Sequence, residues 1–394
     1  MRPLEGVRVL DLTTVLGFAT MELADYGAEV IKVERPGSGD SVRTYPPLKE
    51  GVSLYQAFMD RGKKSITLNF RTDEGKEILK ELVKDCDILI ENFKVGTMEK
   101  LGLGYEELKK INPRLVYGQL TSYGSTGPDK DRIAYDITIQ AKSGVMEITG
   151  DPDPGQPTKV GAYLGDHYSC TYLCAGVLLA LYHARATGVG QKVETSMFEA
   201  LFSAIEDRLV IYDYVDKNTT RSGNAHPSIN PYDILECKDG YFALGVSTDA
   251  QWHKFCEEFG KPEWIEDPRY STNEHRGEHY FGDLRNRLEN EVTKNYTKAE
   301  LADRCAKIKV PGAGANTIEE SLNQEQLKVR NMLVDVEDQR IGKLMTVNKI
   351  VKFHDEYADN PTRTAPLLGQ NNEEIYGPLL GEARMKQLAE AGII

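Results

Sequence analysis

Apolar positions in the first 120 residues gather into short runs, separated by longer stretches with helical spacing. Residues 7–12 (VRVLDL) form a run of strand length, followed by a helical stretch over residues 16–26. A second strand, Glu29–Glu34 (EVIKVE), comes at once. Strand, helix and strand within about 30 residues make a right-handed βαβ unit of a parallel sheet. The pattern recurs at residues 65–70 (SITLNF). The helix after it opens on Thr72-Asp-Glu-Gly and gathers Ile78, Leu79, Leu82 and Val83 on one side. Residues 87–90 and 114–120 supply further strands. The spacing predicts an α/β fold, a doubly wound and largely parallel sheet in a Rossmann-like large domain.

Further along, a polar, Pro-rich loop at residues 151–157 leads through GAYLGDHYS (161–169) into an apolar helical run, residues 168–182. A turn at 187–192, a strand at 193–196 and one helix over 197–214 are expected next. The composition turns polar at 217–223, where a domain boundary is placed. Beyond it the texture changes, with a hairpin strand at 240–246 and helices at 250–259 and 298–306. Strands return near 340–345, and residues 371–380 lead into a final amphipathic helix. The division expected is a large domain over 1–218, an inserted smaller α+β domain over 219–328, and a C-terminal segment, 329–394, that closes back on the large domain.

Composition narrows the function classes. A net charge of -13, from 48 Lys and Arg against 61 Asp and Glu, argues against nucleic-acid binding but not against a local phosphate site. The six cysteines contain no C-x-x-C pair, and Cys170 and Cys174 share a helix face as core residues. Scattered thiols, a start without a secretion signal and no apolar run of membrane length lead to the expectation of a soluble, cytoplasmic protein. The first strand is followed by TTVLGF (13–18), not G-x-G-x-x-G, so dinucleotide binding in the usual place is not expected. No Walker sequence occurs, and the seven His show no metal-ligand spacing.

Asp166 is the candidate for chemistry. It lies where a loop meets the start of a buried helix, and the bland reading is a capping carboxylate. The sharper reading notes Gly165, which would leave space above the carboxylate for a bound molecule. A helix N-terminus also stabilises an anion, so Asp166 could act as a nucleophile at neutral pH.

The chain resembles the class III CoA-transferases, the family of formyl-CoA and carnitine CoA-transferases. The resemblance runs over nearly the whole chain. It is carried by PLEGVRVLDL (3–12), YGAEVIKVERPGSGD (26–40), KKSITLNFRT (63–72), ENF (91–93), GQLTSYG (118–124), LGD (164–166) and TGVGQKV (187–193). It implies that Asp166 is the nucleophile. Attack on an acyl-CoA would give an acyl-aspartyl anhydride and CoA thiolate, and the thiolate would return to form an aspartyl-CoA thioester for the acceptor acid. It implies an acyl-CoA donor and a carboxylic acid acceptor as partners, coenzyme A thioester as substrate with no tightly bound cofactor, and a homodimer of interlocked chains.

Positions matching the family's CoA contacts are Val15, Leu16, Gly17, Arg35, Leu68, Arg71, Asn92 and Phe93, with Lys100 where some members have Arg. Tyr135 matches a tyrosine near the nucleophile. Two departures stand out. No glycine-rich lid is present, the region reading SGNAHPSIN (222–230), and Gly17-Phe18-Ala19 replaces a Gly-Pro pair. Two alternatives remain. An α-methylacyl-CoA racemase would carry His in place of Tyr135, because tyrosine is a poor base at neutral pH. A non-catalytic CoA-binding protein is disfavoured by the retained Gly-Asp pair.

Overall fold

The computed structural model describes residues 2–152, 154–217, 221–353 and 364–394. Six strands form the central sheet: β1 (Arg8–Asp11), β2 (Glu29–Glu34), β3 (Lys64–Thr67), β4 (Ile88–Glu91), β5 (Val116–Thr121) and β6 (Lys192–Ser196). All neighbours are parallel, in the spatial order β3-β2-β1-β4-β5-β6. The order reverses between β1 and β4, and the crevice outside the carboxyl ends of strands at such a reversal is where open α/β sheets bind ligands. The inner strands are mostly apolar because both faces are covered, with Asp11, Lys32 and Glu34 among the buried exceptions. One core packs Val9, Ile88, Val116 and Leu120 against the helices Phe18–Asp25 and Leu164–Thr187. The other packs Leu10, Ile31, Ile66 and Leu89 against Asp73–Lys84 and the C-terminal residues Tyr376, Leu388 and Ile394.

Local signals explain the boundaries. Thr72 caps Asp73–Lys84, its hydroxyl accepting the Gly75 N–H at 3.1 Å. Gly75 is required there, since a Cβ would lie 2.0 Å from the Asn69 carbonyl oxygen. The C-terminal segment returns to β3: Asn371 donates its backbone N–H to the Ser65 carbonyl, and the Tyr376 hydroxyl donates to that of Thr67 at 2.9 Å.

Two compact units account for the chain. The first comprises residues 1–145, 160–206 and 325–394; the second comprises 146–159 and 207–324. The expected boundary at 218/219 falls within residues 218–220, outside the described ones. The single helix expected over 197–214 is not formed. Met197–Phe202 gives way to a tight turn at Ser203–Ile205, and Glu206 has φ of 34° before Asp207–Tyr214 begins. Helical spacing cannot register one residue that leaves the right-handed region.

Within the second unit, Tyr232–Cys237, Gly240–Gly245 and Gly312–Gly314 make a small antiparallel sheet. Helices rich in aromatics cover it, with Trp252, Phe255 and Trp264 stacked and buried. Arg276 is buried with them, its guanidinium donating to the Asn230 and Tyr270 carbonyls and to Asp249. Among the described residues, no helix is long and apolar enough to cross a membrane.

Candidate active site

Asp166 is not the cap of its helix. Leu164–Thr187 has Tyr163 at the cap position, and Asp166 lies in the first turn, two residues inside the start. Its carboxylate accepts no hydrogen bond among the described residues. Burial, and then the neighbouring Asp136 carboxylate, push its pKa up to about 7. The expectation of a carboxylate freely ionised by the helix terminus is therefore corrected: desolvation without a donor outweighs the dipole.

Gly165 has a different purpose from the one its neighbour suggested. It is buried, and its N–H donates to Asp136 Oδ1 at 2.8 Å. A Cβ there would meet Asp136 Oδ1 at 3.2 Å and the Ile139 side chain at 3.3 Å. The missing side chain lets the helix Asp136–Lys142 approach and satisfy the first turn from outside. Gln140 completes the join: its amide donates to Asp136 Oδ2 at 2.7 Å and to the Ala162 carbonyl at 3.2 Å, and its oxygen accepts the Val160 N–H at 2.9 Å. Tyr135 precedes that helix at its cap position, with its side chain 74% exposed.

The loop after β1 leads from the sheet's reversal into the helix Phe18–Asp25 and touches the helix of Asp166 on the way. Asn92, directly after β4, clamps its start: the amide accepts from Thr14 N–H and donates to Thr14 C=O, both at 2.8 Å. Val15 has φ of 65°, a left-handed conformation rare for a β-branched residue. The Leu16 carbonyl accepts from the Cys170 thiol, one helical turn beyond Asp166. Phe18 lies against His167 with ring centroids 4.2 Å apart and meets Tyr55 edge-on at 6.1 Å. Burial, opposed by Asp136, pulls the His167 pKa down, and burial followed by Asp166 pushes that of Tyr55 up.

A cavity of about 460 Å³ opens at the carboxyl ends of β1, β2 and β3. Arg35, Leu68, Arg71 and Phe93 line it, with Thr13, Thr14 and Phe70. Neither the Arg35 nor the Arg71 guanidinium is engaged in an ion pair or hydrogen bond among the described residues, and both are exposed. Val15, Leu16, Gly17 and Asn92 do not line this cavity; the first three belong to the loop that borders it, and Asn92 clamps that loop. Lys100 is not on it either, although Thr97 and Leu101 are. Among the described residues, no group of three or more His, Cys, Asp or Glu is arranged to hold a metal.

Residues 4–372 match the model of CoA-transferase family III. The chain belongs to this family. It is thus an enzyme, a class III CoA-transferase. A succinate–glutarate CoA-transferase from Agrobacterium fabrum is 37% identical over 386 residues, covering 96% of each chain. A succinyl-CoA–D-citramalate CoA-transferase from Chloroflexus aurantiacus is 35% identical over 387 residues, covering 96% of this chain and 94% of that one. An acetyl-CoA:oxalate CoA-transferase from Acetobacter aceti is 38% identical over 335 residues, 84% of this chain and 85% of that one. In three dimensions, the crystal structure of a CAIB/BAIF family protein from Brucella suis superposes with a TM-score of 0.83. It is 35% identical and covers 96% of this chain and 99% of that one.

Sequence reasoning singled out Asp166 and the cavity arginines but missed Asp136, Gln140, Tyr55 and His167. Asp136 and His167 are each adjacent to a residue already named, which is the only local signal they carry. Tyr55 and Gln140 reach the site through packing and leave no trace in the spacing.

Proposed function

We propose that the enzyme moves CoA from an acyl-CoA to a carboxylic acid, with Asp166 as the covalent nucleophile. The observation that carries this reading is a half-buried carboxylate without a hydrogen-bond donor, on a helix turn held rigid from outside by Asp136 and Gln140. Such a group keeps its lone pairs for an electrophile, and its raised pKa makes the anion more nucleophilic than an ordinary aspartate.

In the first step an Asp166 oxygen bonds to the thioester carbon, the C–S bond breaks and CoA thiolate leaves. The thiolate then attacks the Asp166 carboxyl carbon of the anhydride, and the donor acid departs with the bridging oxygen. An oxygen of the acceptor carboxylate next displaces thiolate from the aspartyl thioester. Attack of thiolate on the acceptor's acyl carbon releases the new acyl-CoA and restores Asp166. No proton, water or redox partner enters the balance.

Arg35 and Arg71 are read as cations for the phosphates of CoA, with Leu68 and Phe93 as apolar walls for its adenine. Tyr135 is read as a substrate-facing hydroxyl on the rim. The names of the relatives support short dicarboxylic acids as the acid partners, succinate among them.

Atom balance yields a sharp test. Each turnover leaves one acceptor oxygen on Asp166, and the next donor acid carries it away. With acceptor labelled by ¹⁸O in its carboxylates, the released donor acid should therefore gain ¹⁸O in ordinary water, as read by mass spectrometry. Label confined to the acceptor and its CoA ester would rule out the anhydride route.

A second copy of the chain is the proposed cover for the helix Leu164–Thr187. This helix is apolar through its middle, Leu173 to Leu181, and beyond its buried face it exposes Tyr168, Tyr172, Leu179 and Tyr182, the last two 73% and 79% exposed. Intervals of 4, 7 and 3 residues between them keep these side chains on one stripe. Sedimentation equilibrium should give twice the chain mass of 44.1 kDa; a single-chain mass at micromolar concentration would remove this proposal.

A further inference from the structure

Beneath the β1 loop lies a buried ionic cluster that no motif announces. It comprises Lys32, Lys63, Asp11, Asp40 and Asp60, each with a side chain at most 2% exposed. Lys63 Nζ donates to Asp11 Oδ2 and Asp60 Oδ1, both at 2.9 Å, and to the Gly17 carbonyl at 3.2 Å, which uses all three of its protons. Lys32 pairs with Asp40 at 2.9 Å and donates to the Thr13 carbonyl at 3.1 Å. Asp11 Oδ1 accepts from the Thr13 N–H at 2.9 Å and hydroxyl at 2.6 Å, and Asp40 Oδ2 accepts from the Val15 N–H at 3.1 Å.

Burial works against these charges, yet Lys63 and Lys32 hold the Asp11 carboxyl well below the usual carboxylate range. Burial likewise opposes the Lys32 charge, but Asp60 and Asp11 hold it firmly protonated. Isolated burial of so many ions is costly and is tolerated only when every charge is paired and bonded. Four of the cluster's remaining bonds end on the backbone of one loop, at Thr13 N–H and C=O, Val15 N–H and Gly17 C=O, while others reach Thr20, Ser41, Val42 and Gln56. That loop contains Val15 at φ of 65°, and such strain persists only where the surroundings over-determine it. Its first residues, Thr13 and Thr14, are cavity wall.

We infer that Lys63 is a positioning residue for acyl-CoA. With its four charged neighbours it fixes the Thr13–Gly17 backbone so that the wall of the nucleotide cavity stands ready before substrate arrives. The inference rests on the reading of this cavity as the CoA pocket, and it assigns the cluster to binding of the nucleotide end of the substrate. The fit around Lys63 is tight: a Cβ on Gly17 would lie 2.7 Å from Nζ. Gly17→Ala thus displaces the loop from the ammonium while leaving all five charges in place.

The experiment compares succinyl-CoA with succinyl-pantetheine, which lacks the nucleotide, as donors to glutarate. It uses wild type, Lys63→Met and Gly17→Ala. Lys63→Met leaves buried carboxylates uncompensated, so if it does not fold, Gly17→Ala decides alone. A loop misplaced by about an ångström should raise the KM for succinyl-CoA on the order of tenfold or more. The kcat/KM for succinyl-pantetheine should fall by a clearly smaller factor, since it lacks the nucleotide and feels the loop only through the contacts of Leu16 and Phe18 with the Asp166 helix. A merely structural role would lower the active fraction and reduce both donors by the same factor, and that outcome overturns the inference. So does an unchanged KM for succinyl-CoA in folded Gly17→Ala. Arg35→Ala and Arg71→Ala run alongside keep the two readings apart. If these leave the KM for succinyl-CoA unchanged, the pocket reading fails; if they raise it and the cluster variants do not, only the inference fails.

Discussion

Asp166→Asn should lower the rate of CoA transfer at least ~10³-fold, the usual cost of losing a covalent nucleophile. Asparagine preserves the volume and the helix turn, and the wild-type carboxylate has no hydrogen bond to lose, so circular dichroism should be unchanged. Residual turnover within about tenfold of wild type would overturn the nucleophile assignment.

The same substitution should change stability with a definite sign. Because burial and Asp136 raise the Asp166 pKa from 3.8 to about 7, the folded state resists ionisation. The wild type is then destabilised progressively between pH 4 and 7, and the cost stays constant above that. Asp166→Asn removes it. The variant should be the more stable protein at pH 8 by up to about 4 kcal/mol, less the screening a partly exposed carboxylate receives, and near parity at pH 4. In wild type, kcat/KM should fall as pH drops through about 7, because only the anion attacks. Parallel urea titrations at the two pH values check the first statement, and a rate profile from pH 5 to 9 checks the second.

Arg35→Ala and Arg71→Ala should each raise the KM for several acyl-CoA donors by a similar factor, about 10- to 100-fold for a charge-assisted phosphate contact worth ~1.5–3 kcal/mol. The KM for the acceptor acid should stay nearly constant. Both guanidiniums line the cavity without an internal partner, so their removal strands no other charge and should leave the thermal midpoint almost unmoved. The effect should weaken with added salt, as exposed charges are screened. A change confined to the acceptor's KM would assign these arginines to a different subsite.

The neighbourhood of Asp166 explains why an enzyme of this family tolerates an unfavourable carboxylate. Asp136 both supports the first turn and raises the basicity of the Asp166 carboxylate beside it. In the proposed mechanism, stability given up at one residue becomes reactivity; the packing of Ile139 against Gly165 holds the two acids together.

Much of the architecture is written locally in this chain. The period of the apolar residues marks strands and helices, because a covered strand is mostly apolar and each helix must bury a face. Thr72 and Gly75 fix a helix start through contacts within a few residues. The Gly-Asp pair marks Asp166, and the arginines that follow β2 and β3 fall on the cavity because strand ends in a parallel sheet gather at one edge. What the tertiary structure alone decided are the interactions between segments distant in sequence. Helical spacing placed Asp166 at a helix cap, but burial, and then the approach of Asp136, 30 residues earlier, set its ionisation, and Asp136 gives Gly165 its purpose. Nothing in the local pattern marks Lys63 and Lys32, yet both are buried with Asp11, Asp40 and Asp60 beneath the β1 loop. Charge pairing in a low-dielectric interior depends on distances that no local pattern encodes. The break at Glu206 is likewise invisible to periodicity, since one residue's backbone angle is set by what the chain must reach on either side of it.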